Sequence, residues 1–147
     1  MDQQLLETKL NQLLHVISET EEWLAVPSEA FSGDIKLIRA CQRNLQLLVE
    51  YASDINGILI LELGQKAPNS YRESFTMVFT MDFAKELSED DRVALLASVD
   101  WRNNLIHEYE PKESNDVFYQ KLKEFLMAYR NYARIAHERS PKTDSVS

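Results

Sequence analysis

The stretch Ile35-Lys-Leu-Ile-Arg-Ala-Cys-Gln-Arg-Asn-Leu-Gln-Leu-Leu-Val-Glu-Tyr-Ala-Ser-Asp-Ile-Asn-Gly-Ile-Leu-Ile-Leu61 decides the fold. Its apolar residues Ile35, Ile38, Leu45, Leu48, Tyr51, Ala52, Ile55 and Leu59 keep the three- and four-residue period of one helix face over roughly six turns. Asp34 stands where a side-chain oxygen caps a first turn. The run Ile58-Leu-Ile-Leu suits a strand when read alone, but it continues the helical pattern, and a lone strand would have no pairing partner elsewhere. One long helix is therefore predicted, and with 3 Gly and 4 Pro among 147 residues the rest of the chain has few places to break regular structure.

Working outward, Leu6, Leu10, Leu13, Leu14, Ile17 and Leu24 repeat the helical spacing on the N-terminal side until Pro27. On the other side, Gly64-Gln-Lys-Ala-Pro-Asn-Ser70 reads as a turn, followed by a short helix carrying Tyr71, Phe75, Val78 and Phe79. Ser88-Glu-Asp-Asp91 is a helix start, a capping residue with an acid three positions on and negative charge at the positive end of the dipole. The helix it opens shows Val93, Leu96, Val99 and either Leu105 or Ile106 as its apolar side, and Pro111 ends it. A last helix from about Asn115 carries Phe118, Leu122, Phe125, Leu126, Tyr129, Tyr132 and Ile135. There is no internal repeat. The predicted architecture is all-α, an up-and-down four-helix bundle with an additional short helix, built as a single domain over residues 1–137 with a flexible polar tail over 138–147.

Composition narrows the function. Hydrophobic residues at 44% and charged residues at 27% describe a globular chain large enough for one core. A net charge of −8 excludes a broad nucleic-acid surface, so any RNA contact has to be local. Cys41 is the only cysteine and is read as a small buried hydrophobe. The N-terminus lacks a basic region followed by an apolar core, and residues 58–61, the longest apolar run, cannot span a bilayer. A cytoplasmic protein with no membrane segment is expected. His15 and His137 have no acid or cysteine at ligand spacing, and no glycine-rich phosphate loop occurs, so neither a metal site nor another cofactor is expected.

Chemistry concentrates in Arg102-Asn-Asn-Leu-Ile-His107-Glu-Tyr109. The spacing Arg-x4-His arises by chance in roughly one chain of this size in ten, and Tyr two residues after His makes the pattern rarer by about another order of magnitude. With its position at the end of a capped helix, the pattern resembles the Arg-x4-His-x-Tyr signature of HepT toxins in the HEPN superfamily. The long central helix, the Ser70-Tyr-Arg-Glu-Ser-Phe75 segment and the aromatic last helix fall where that family places comparable elements. The resemblance implies a helical homodimer with a composite active site between the two motifs, RNA cleavage without a metal, and neutralisation by a nucleotidyltransferase antitoxin of the MNT type. It also points to Tyr109 as the residue to which such an antitoxin attaches AMP.

RNA carries its own nucleophile in the 2′-hydroxyl, so the protein has only to move protons and stabilise charge. His107 is the candidate general base or acid and Arg102 the phosphate clamp, binding through two donors. The two stand about 140° apart around a straight helix. Three solutions stay open: the arginine leans across, the helix loosens near Pro111, or the working pair comes from two subunits. Asn103 is the candidate for orienting the imidazole or binding phosphate, and Asp54, within the long apolar helix, for pairing with Arg102 or orienting it. Lys36, Arg39 and Arg43 form either an extension of the basic site or a solvated face. Phe118, Phe125, Tyr129 and Tyr132 belong to the core or a dimer interface rather than a base-stacking platform.

The predicted function is a metal-independent endoribonuclease toxin of a toxin–antitoxin pair, with tRNA among the candidate targets. The alternative is a non-catalytic helical binding module that pairs with a nucleotidyltransferase, which the acidic charge favours. In a third reading the motif is only structural: Arg102 in a surface ion pair, His107 at a helix C-terminus, and Tyr109 packed on the last helix.

Overall fold

The structure, a computed structural model, describes residues 2–107 and 114–139, apart from the side chains of Ile106, His107 and Arg139. Asp2 caps α1 (Gln3–Trp23) by accepting from Leu5 N at 2.9 Å. After Pro27 a single turn and a half, α2 (Ser28–Ser32), runs to Gly33. Asp34 then caps α3 (Ile35–Glu62) through Leu37 N at 3.1 Å. The run at 58–61 is helical, as the periodicity predicts, with Leu59 and Ile60 buried and Leu61 exposed. Gly64, at φ +74°, closes α3: Gly64 N donates to Leu61 O at 2.9 Å and Gln65 N to Ile60 O at 3.3 Å. That paired return is the Schellman motif, which asks for a left-handed residue where only glycine sits without strain.

The short α4 (Tyr71–Phe79) leads through a 3₁₀ turn at Asp82–Glu86 into α5 (Glu89–His107), whose start is capped by Ser88 Oγ on Asp91 N at 3.0 Å. The last helix is α6 (Asn115–Arg139). It takes in Glu138 and Arg139, which the sequence pattern places in the tail, while residues 140–147 lie outside the described part of the chain. Cross-links show the up-and-down order. Lys9 reaches Asp54 and Thr20 reaches Asn44, so α1 and α3 are antiparallel; Glu21 holds Arg130 and Asp91 holds Asn131 where α1 and α5 meet α6.

Four long helices build the bundle as predicted, but two short elements were not anticipated, α2 and the 3₁₀ turn. Each is too short to show a period. Nonetheless α2 buries Phe31 completely, its ring 6.1 Å from Phe118 and 5.2 Å from Tyr119. Ser32 and Ser28 both donate to Asp116 at the start of α6, holding its carboxyl below the usual range.

The apolar side of α5 also differs from expectation. Val93 is 56% exposed, and the buried residues are Leu95, Ser98 and Val99. The reason is a serine on the core face: Ser98 Oγ donates to Leu95 O at 2.6 Å and meets the Tyr129 hydroxyl at 2.7 Å. A hydrogen-bonded hydroxyl is tolerated inside where hydropathy reads a solvent position. Burial in turn pushes the Tyr129 hydroxyl well above its ordinary range.

Cys41 is fully buried in α3, and burial pushes its thiol up to about 12. Since the thiolate is the reactive form, a maleimide at pH 8 is expected to leave the folded protein unlabelled over the time in which it labels the urea-unfolded chain completely. Mass spectrometry of both samples checks this, and equal labelling would contradict it.

Candidate functional site

The motif arginine opens onto a cleft of ≈490 Å³ between α3, the first turn of α4 and the C-terminal part of α5. Its walls include Ser53 and Asp54 from α3, Ser70, Tyr71 and Ser74 from α4, and Arg102 and Asn103 from α5. The start of α4 is fixed by a reciprocal cap, with Ser70 Oγ accepting from Glu73 N at 3.0 Å and Glu73 Oε1 accepting from Asn69 N at 3.2 Å. This satisfies one free amide of the first turn and the amide of the residue before the cap.

Arg102 is partly buried, and its guanidinium carbon lies 4.5 Å from the centroid of the Tyr71 ring. Its Nη1 donates to Asn103 Oδ1 at 3.1 Å. Its Nε is buried and has no hydrogen-bond partner among the described residues. A buried N–H left without an acceptor costs about 1–3 kcal/mol, so this donor keeps capacity for an acceptor that none of the described residues supplies. A phosphate oxygen is one such acceptor.

Asp54 lines the same cleft, but it does not pair with Arg102. Its carboxylate bonds Lys9 Nζ at 3.0 Å, because α1 crosses α3 here and carries Lys9 over the Tyr51 ring at 5.6 Å. Asp54 is also exposed rather than a core polar group. The neighbouring arginine of α4, Arg72, is taken by Asp100, with Nη1 at 3.1 Å and 3.3 Å from the two carboxylate oxygens. Arg39 and Arg43 do not line the cleft, and Arg43 bonds Gln46 at 3.2 Å, so these cations form a solvated face. The aromatic series on α6 is core: Phe118, Phe125, Tyr129 and Tyr132 are all buried.

The structure brings Arg102, Asn103 and Asp54 to one cleft. His107 closes α5, which is α-helical throughout, so the backbone positions of Arg102 and His107 stay about 140° apart around the helix. Tyr109 and Pro111 lie outside the described residues. Sequence reasoning placed Tyr71 on the apolar side of a short helix and missed it as a wall of the site. The Ser70–Glu73 cap was the available signal, since it marks where that helix begins. Among the described residues no group of three or more His, Cys, Asp or Glu could hold a metal ion, and no helix is long and apolar enough to cross a membrane.

The fold places the chain in the class of all-α up-and-down bundles, with an Arg-x4-His-x-Tyr stretch of sequence that begins on the third long helix. Within that class the chain belongs to the HepT-like ribonuclease family, whose model, Ribonuclease HepT-like, matches residues 13–135. Solved structures share the fold. A chain from tri-AMPylated Shewanella oneidensis HEPN toxin in complex with MNT antitoxin superposes with a TM-score of 0.79 at 19% identity, covering 95% of this chain and 100% of that one. A toxin–antitoxin with AMP-PNP gives 0.77 at 18% identity, covering 91% and 98%. A tyrosine-to-alanine mutant of the MntA–HpeT toxin–antitoxin gives 0.74 at 19% identity, again covering 91% and 98%. No curated protein matches the sequence.

Proposed function

We propose that this chain is the endoribonuclease toxin of a toxin–antitoxin pair, cleaving RNA through Arg102 and His107 without a metal ion. One observation carries the reading: in a HepT-like ribonuclease, the motif arginine stands in a cleft with a buried donor that no described residue accepts. The 2′-hydroxyl oxygen attacks the adjacent phosphorus and the bond to the 5′-oxygen breaks. Histidine chemistry takes the proton from the 2′-hydroxyl or returns one to the departing oxygen, while Arg102 stabilises the extra negative charge on phosphorus. The products are a 2′,3′-cyclic phosphate and a 5′-hydroxyl, and tRNA is a candidate substrate.

The separation of Arg102 and His107 around α5 favours a homodimer in which each working pair is completed across the two-fold axis. The partner we infer is an MNT-type nucleotidyltransferase antitoxin, the kind found with the HEPN toxin of similar fold. Attachment of AMP to Tyr109 would put a negative phosphodiester two residues from His107, repelling and excluding an RNA phosphate. That makes it a chemical off-switch.

The test is cleavage of total RNA in EDTA by the parent and by His107→Ala, with product ends identified. The parent is expected to release cyclic phosphate ends, and His107→Ala to be slower by about 10²–10⁴-fold. A parent that leaves RNA intact, or a variant that cuts equally well, rejects the reading. The non-catalytic pairing module, consistent with a net charge of −8, would then take its place.

A further inference from the structure

Among the described residues, the guanidinium of Arg102 is held by a ring rather than by a carboxylate. The cleft carboxylate, Asp54, is committed to Lys9, and Asp100, on α5 with Arg102, to Arg72. Asn103 does bond Arg102, but it is the next residue on α5 and moves with it. Among the described residues, the contact that ties the guanidinium to another wall of the cleft is the face of Tyr71, at 4.5 Å. We propose that Tyr71 is a positioning residue for RNA cleavage, its ring holding Arg102 in the cleft with the guanidinium's charge and N–H donors left for a substrate phosphate. The proposal rests on the ribonuclease reading of this site.

The choice of a ring has a physical reason. A carboxylate would satisfy two N–H groups and neutralise the charge, competing with the phosphate on both counts. A ring face attracts the cation through its quadrupole and takes none of the in-plane donors. The arrangement leaves Nε buried and without an acceptor among the described residues.

The ring is itself fixed from below. Tyr71 is the first residue of α4, and Ser74 Oγ donates to its carbonyl at 2.7 Å. Ser74 is fully buried, 3.3 Å from Ser53 Oγ and 3.2 Å from the Asn56 amide that donates to it. Asn56 Oδ1 accepts from the Tyr132 hydroxyl. A chain of buried polar groups thus runs from α6 through α3 to the turn that carries the ring. An aromatic residue at position 71 is therefore a requirement of the site, distinct from the apolar packing that the helix period suggests.

Tyr71→Phe and Tyr71→Leu separate ring from hydroxyl. Three readouts apply: kcat and KM on an RNA oligonucleotide, thermal denaturation, and the Arg102 Nε–H resonance, assigned by its absence in Arg102→Lys. A proton against a ring face is displaced upfield by the ring current. Tyr71→Phe is expected to keep the upfield resonance and to hold kcat/KM within about twofold of the parent. Tyr71→Leu is expected to lose the displacement and about tenfold in kcat/KM, mainly through kcat, with Tm preserved. Should the leucine variant not fold, Tyr71→Met carries the same comparison.

Unchanged kcat and resonance in the leucine variant would overturn the proposal. So would a loss in Tyr71→Phe equal to that in Tyr71→Leu, which would make the hydroxyl a substrate contact. A parent that cleaves no RNA defeats the ribonuclease reading instead, and the resonance still decides whether the ring holds the guanidinium.

Discussion

Arg102→Ala is expected to lower kcat/KM for RNA by about 10³-fold, the scale for removing a preorganised cation or donor from a developing phosphorane charge. The same change is expected to leave stability within about 1 kcal/mol of the parent, because it removes only a bond to the adjacent Asn103 and a partly exposed contact with the Tyr71 ring, while Nε has no hydrogen bond to lose among the described residues. This combination distinguishes a functional arginine from a structural one. Were Arg102 an ordinary ion-paired surface residue, neither activity nor stability would move much; were it a core tether, stability would fall first. Arg102→Lys keeps the charge but loses the planar fork and its flat contact with Tyr71, and is expected to fall between parent and alanine. Steady-state cleavage in EDTA together with urea denaturation of the three proteins checks this, and an alanine variant with parental kcat/KM would remove Arg102 from the chemistry.

Phe75→Ala is expected to cost about 3–5 kcal/mol, the range for deleting a buried phenyl ring. Phe75 is fully buried, and its ring meets Tyr129 and Tyr132 edge-on at 6.3 Å and 6.0 Å, with Phe79 at 6.1 Å. It is the apolar anchor of α4, and α4 is a wall of the cleft. A loss of this size is a large part of the 5–15 kcal/mol that holds a domain folded, so the variant should unfold at markedly lower urea. Phe75→Leu refills much of the space and is expected to recover a large part of the loss. An alanine variant with an unchanged urea midpoint would show that α4 is not anchored through this ring.

The helices α1, α3 and α6 were legible because each presents a long, regular apolar face, and Asp34 and Ser88 marked starts that the structure bears out to the residue. The period failed where the core uses polar groups. Ser98 hides a hydroxyl inside α5, so Val93 took its place in the pattern while lying on the surface. Asp54 was read as a partner of Arg102 because it lies within the long apolar helix; the structure turns it outward to Lys9 instead. Of the site, Arg102 and Asn103 could be named from their spacing alone, since a motif is a local pattern. Tyr71 could not, because its relation to Arg102 is a contact between two helices and no local spacing encodes it.

The buried run from Tyr132 through Asn56 to Ser74 and Ser53 also bears on how this chain can change over time. Replacing any one of these residues by an apolar residue strands its neighbour's donor or acceptor inside the bundle, whereas replacing them together with well-packed hydrocarbon does not. Drift at these positions is therefore stepwise-forbidden and jointly permitted. Homologues should carry either the whole polar set or a wholly apolar one, and hybrids of the two should fold poorly.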